Sequence, residues 1–159
     1  MNKFLRTLVI GTLLIVGVSA AVAADAPDPI IGTWTLNVAK SRFSPGPAPK
    51  SQTRTYAQSA QGTVLTFSGV AADGSQVSGQ STFNYDGEDY PITGSPDYDT
   101  LSLKRVNGST TKATMKRGGK KVGTTTRTIS AHGKIMTLAT KAKDVKGSPY
   151  DNKMVFDKQ

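Results

Sequence analysis

A chain of 159 residues with Lys and Arg at 20 positions, Asp and Glu at 11, and no Cys carries a formal net charge of +9. The lack of Cys excludes disulfides, a lipid-modified N-terminal cysteine and thiolate zinc sites, so packing alone must hold the fold. The positive excess favours encounters with anionic partners and says little about architecture.

The chain opens on a basic head, MNKFLR, followed by the apolar run TLVIGTLLIVGV and the small-residue zone SAAVAADA. That order is the pattern of a secretory signal peptide over residues 1–24, cleaved after Ala23 or Ala24, with an uncleaved membrane anchor as the alternative. Loss of Lys3 and Arg6 lowers the formal charge from +9 to +7. No second hydrophobic span follows, so residues 25–159 are expected to form one domain without a transmembrane span, periplasmic or secreted, and the short head is bacterial in style.

From there onward, short runs rich in Thr, Val, Tyr and Phe alternate with turn signals. Asp73-Gly74, Asp86-Gly87, Asn107-Gly108, Gly118-Gly119 and His132-Gly133 stand where a tight hairpin needs residues tolerant of positive φ. Gln61-Gly62, Ser95-Pro96-Asp97 and Gly147-Ser148-Pro149 add further corners. Reading between these marks predicts strands near 31–38, 51–60, 63–71, 75–85, 88–93, 98–106, 109–117, 120–130, 134–143 and 149–158. Between the first two, AKSRFSPGPAPKS is rich in Pro and Gly and is expected to be an extended loop.

So many antiparallel strands in one open sheet would expose two long edges. The expected fold class is therefore all-β: an up-and-down meander closed into a barrel of about eight to ten strands. Trp34, Leu36 and Val38 share one face, Val77, Gly79, Ser81, Phe83 and Tyr85 another, and Leu101, Leu103 and Arg105 a third. Small and hydroxylated residues among the apolar ones suit a partly wet cavity better than a dense core. A small sandwich with several surface strands is the competing arrangement.

Gly32-Thr33-Trp34 on the first strand, the run of hairpins and the final KMVFDKQ resemble the calycin superfamily, the lipocalins and intracellular fatty-acid-binding proteins. More narrowly, IGTWTLNVAKSRFSPGPAP, YDGEDYPITGSPDYDTLSLKR and HGKIMTLATKAKDVKG resemble small exported bacterial proteins of lipocalin-like type. Fatty-acid-binding proteins carry Arg-x-Tyr on the last strand for a ligand carboxylate; the matching positions here are Met154 and Phe156. The resemblance thus implies a fold and a type of cavity without implying a ligand.

Five acidic residues, Asp86, Glu88, Asp89, Asp97 and Asp99, crowd one stretch. Their spacing fits no calcium loop, and Asp at turns ordinarily satisfies backbone N–H groups, so they are read as turn residues and no metal is expected. His132, the only histidine, precedes a Gly at a turn, and no nucleophile elbow accompanies the many serines. Catalytic residues are accordingly not assigned, and neither is a cofactor.

Two sets of binding residues remain. Trp34, Phe83, Tyr85, Leu101, Leu103 and Arg105 are the expected lining of a ligand cavity, with Trp34 also suited to plug one barrel end. Arg105 would there need an anionic partner; the competing placement is a barrel rim where it reaches solvent. Lys112, Lys116, Arg117, Lys120, Lys121 and Arg127 gather around one hairpin in KATMKRGGKKVGTTTR. They suit phosphates or acidic glycans, but without aromatic residues to stack bases, and in an exported chain, nucleic acid is not expected. The reading is a non-enzymatic barrel that binds a small apolar or amphipathic molecule noncovalently. The alternative is a basic module that binds anionic envelope components without an internal ligand.

Overall fold

The protein is described by a computed structural model over residues 28–159. The signal-peptide reading at residues 1–24 lies outside them. Wherever Thr, Val and aromatic residues alternate between turn signals, the chain is extended: β1 Gly32–Leu36, β2 Arg42–Ser44, β3 Ser51–Ser59, β4 Gly62–Val70, β5 Gln76–Phe83, β6 Asp86–Pro91, β7 Thr100–Asn107, β8 Thr110–Arg117, β9 Lys120–Ile129, β10 Ile135–Lys143 and β11 Pro149–Lys158. Among the described residues a 3-10 turn, Val38–Lys40, is capped by the Asn37 side chain.

The strands form one antiparallel sheet in the order β5-β4-β3-β1-β11-β10-β9-β8-β7-β6. β1 joins the two ends of the meander, since Trp34 lies opposite Arg54 of β3 on one side and Lys158 of β11 on the other. The remaining free edges, β5 and the segment from β6 to Thr93, meet through a few bonds, the weakest from Thr93 Oγ1 to the Gln80 carbonyl at 3.5 Å. The Thr93 N–H donates to the Gln80 carbonyl at 3.0 Å, the Gln80 N–H donates to Thr93 Oγ1 at 3.0 Å, and Ser81 Oγ donates to the Pro91 carbonyl at 2.8 Å. The result is a nearly closed ten-strand barrel with its edges occupied. Gly79 and Gly94 permit this approach: a Cβ at Gly79 would strike the Thr93 carbonyl, and one at Gly94 the Ser78 carbonyl, where φ is also +78°.

Two expectations need correction. The Pro-rich stretch after β1 is not wholly loop, because Arg42–Ser44 pairs with Lys153, Asn152 and Asp151 and extends the edge that β1 leaves. Asp86-Gly87 is not the hairpin turn either. The chain reverses at Asn84-Tyr85, and Asp86-Gly87 sits inside β6 at a register shift between Asp86 and Asp89, with Gly87 at φ +87°.

Strict alternation decides what faces inward. One end of the barrel is packed shut by Ile30, Trp34, Phe83, Met136 and Phe156, all essentially inaccessible. Trp34 Nε1 donates to the Ile30 carbonyl at 2.7 Å, so the large ring is buried with its one polar atom satisfied. Among the described residues, no helix is long and apolar enough to cross a membrane.

Candidate functional site

Toward the opposite end the interior opens into a cavity of about 360 Å³. Its frame at that end comes from Phe43, Pro45 and Pro47 of the β2–β3 segment, Tyr98 of the β6–β7 loop, and Pro149 and Tyr150 at the start of β11. Apolar walls come from Leu65, Leu101, Leu103, Met115 and Leu138, the inward-facing members of their strands. Hydroxyls are interspersed; Thr125 and Thr140, on neighbouring strands, share a hydrogen bond at 2.5 Å. An apolar enclosure with a few convergent polar groups is the usual form of a small-molecule site.

Two cations face the same space. Arg127 of β9 is 7% exposed, in step with Thr125 and Ile129 on the inward side. Its Nη2 donates to Tyr85 Oη at 2.7 Å and Thr111 Oγ1 at 3.2 Å, and its guanidinium stands 5.4 Å from the Tyr56 ring centroid. Nε and Nη1 make no hydrogen bond among the described residues. Arg127 as a whole lines the cavity wall. Arg54 of β3 donates from Nε to Gln52 Oε1 at 3.0 Å and lies over the rings of Phe67 and Phe156 at 5.5 and 5.7 Å. Among the described residues, no carboxylate forms an ion pair with either guanidinium. A cation in such surroundings is costly unless an anion completes it.

Of the expected cavity residues, Phe83, Leu101 and Leu103 line it. Trp34, Tyr85 and Arg105 do not. Trp34 belongs to the packed end, and Tyr85 stands behind Arg127 in edge-to-face contact with Phe83, ring centroids 5.7 Å apart. Arg105 lies at the rim because β7 runs out of the barrel after Leu103; there it pairs with Asp28 at 2.6 Å and covers the Tyr85 ring at 4.1 Å. Burial pushes the Asp28 carboxyl up, but hydrogen bonds from Arg105 and from the Ile30 N–H hold it below its usual value. Burial pushes the Tyr85 phenol up against the opposing charge of Arg127, so the hydroxyl stays protonated.

The expected basic hairpin is divided. Arg127 is a correction: it is not at the tip but inside the barrel, far along β9 from Lys120 and on the inward face. Lys116 is held by Asp89 at 2.7 Å, and Arg117 donates to the carbonyls of Asp97 and Asp144. Lys112, Lys120 and Lys121 are exposed. The acidic stretch is engaged locally: Asp86 accepts from the Glu88 N–H and Tyr90 Oη, Asp97 from the Val145 N–H, and Asp99 from the Gly118 N–H. Among the described residues, no group of three or more His, Asp and Glu side chains is placed to hold a metal ion.

Sequence reasoning did not single out Arg54, Tyr56, Thr111 or the interior place of Arg127. The signal was parity: Arg54 is in step with Tyr56, and Arg127 with Ile129, each on an inward face. No protein-family model matches the chain, and no curated protein matches it.

Proposed function

We propose that this protein is a non-enzymatic carrier that binds one small amphipathic molecule noncovalently in the barrel, apolar part against Leu65, Leu101, Leu103 and Leu138, anionic head on Arg127. A lipocalin-like identity and export to a bacterial periplasm or beyond belong to the same reading. The nearly closed meander with its tryptophan-plugged end supports the first, and the basic-apolar-small order of residues 1–24 supports the second.

The observation that carries the proposal is the Arg127 guanidinium: buried on the cavity wall, without a carboxylate partner among the described residues, and bonded there through Nη2 alone. Hydroxyls on Nη2 offset part of its desolvation and leave the charge itself uncompensated. Arg54 adds a second positive charge on the same space, so a carboxylate, sulfonate or phosphate monoester head is favoured over a neutral one.

Calorimetric titration with decanesulfonate and with decanol separates head from tail. The wild type is expected to bind the anion more tightly, and Arg127→Gln to lose about tenfold or more for decanesulfonate while keeping its affinity for decanol. Equal loss for both ligands, or none, would refute the assignment of the head group. Exposed Lys120 and Lys121 favour a second reading, contact with anionic envelope components at the cavity end of the barrel. Attachment of that kind would fall steeply with salt, whereas a cavity ligand would stay bound.

A further inference from the structure

Behind Arg127 lies a chain of charged and polar groups that leads out to the closed rim. Tyr85 Oη accepts from Arg127 Nη2 at 2.7 Å, and the nearby Asp28 charge adds to burial in pushing the Tyr85 phenol up. Asp28 in turn accepts from Arg105 Nη2 at 2.6 Å and from the Ile30 N–H at 3.1 Å. Arg105 closes the loop by lying over the Tyr85 ring at 4.1 Å. The phenol therefore has a buried guanidinium at its hydroxyl and a second guanidinium on its ring, and the second one holds the Asp28 carboxylate beside it.

The charges do not cancel evenly. Asp28 is one anion facing two cations, and the cation that pairs with it directly is Arg105, not Arg127. The Asp28 side chain is only 14% exposed, so its field reaches inward with little solvent screening unless a neighbour neutralises it. Arg105, at 37% exposed, is the neighbour that does so.

We propose that Arg105 is a positioning residue for the ligand's anionic head: by engaging Asp28 at the rim it keeps that carboxylate from neutralising Arg127, whose charge stays directed into the cavity. The ligand never touches Arg105. The inference rests on the reading of the cavity as an anion-binding site, and it assigns that site a regulator outside the lining.

The test is a cycle of substitutions read by decanesulfonate affinity, with decanol as the control ligand. Arg105→Gln, at an exposed rim position, should weaken decanesulfonate binding by about tenfold, because the unpaired Asp28 charge then offsets that of Arg127. Asp28→Asn in the same chain should restore affinity to within about twofold of wild type, since it removes the competing anion. Lys104→Gln, which removes an equal charge from the next residue of β7, should change nothing, which separates a local pairing from the overall loss of a positive charge. Decanol affinity should be constant throughout.

If Arg105→Gln binds decanesulfonate as well as wild type, or if the Asp28→Asn partner change fails to restore binding, the positioning role is overturned while the cavity reading stands. An equal loss in Lys104→Gln overturns it too. If decanesulfonate binds the wild type no better than Arg127→Gln, the cavity reading and this inference fall together.

Discussion

A guanidinium set among Tyr56, Tyr85 and Thr111 without a paired carboxylate among the described residues is a burden on the fold that a methionine of similar length would not impose. Arg127→Met is therefore expected to raise the urea-unfolding free energy by roughly 1 kcal/mol or more while abolishing the preference for an anionic ligand. A variant that instead loses stability would mark Arg127 as a structural group. The residue was visible in the sequence but misplaced. Counted along the chain it joins a run of cations, Lys116 to Lys121, whereas counted by alternation it keeps step with Ile129 and faces inward. Arg105 shows the limit of the same rule. Alternation puts it on the face of Leu101 and Leu103, yet the strand has left the enclosure by that point, and strand length relative to barrel height is not written in the local pattern.

At the scale of elements, the weakest join is the seam between β5 and β6, where a few hydrogen bonds around Gln80, Ser81 and Thr93 replace a full ladder. Its geometry depends on Gly94, whose φ of +78° and contact with the Ser78 carbonyl leave no place for a side chain. Gly94→Ala should destabilise the barrel by about 2 kcal/mol and speed hydrogen exchange at the Thr93 amide, both measurable by exchange-detected mass spectrometry and urea titration. An unchanged exchange rate would show that the seam does not depend on that approach. The strands themselves were readable because Asn-Gly, Gly-Gly and Asp-Gly pairs bound runs of alternating residues. β2 was not, since three residues beside Pro45 and Pro47 carry no periodicity of their own and are extended only because β11 offers an open edge. Asp86-Gly87 misled for a related reason: the same pair that makes a tight turn also makes a bulge, and only the register of β6 against β7 decides which.

Across the whole molecule, the barrel combines an end sealed by Trp34, Phe83, Met136 and Phe156 with an interior of about 360 Å³ that holds two cations. Closure of the sheet removes exposed edges, which suits a chain without disulfides, and the sealed end lets one hydrophobic cluster support strands that elsewhere line open space. Closure and the all-β class follow from strand number and turn chemistry. Whether the interior is filled or hollow does not, because inward residues of either kind alternate alike. Native mass spectrometry of wild type and Arg127→Gln, each purified without added lipid, tests the central claim most directly. A reproducible added mass on the wild type that leaves on denaturation, proves to be an anionic amphiphile on extraction, and is absent from Arg127→Gln is the expected result. Bare wild-type protein under gentle conditions, or the same adduct on both proteins, would contradict an anion-headed ligand held by Arg127.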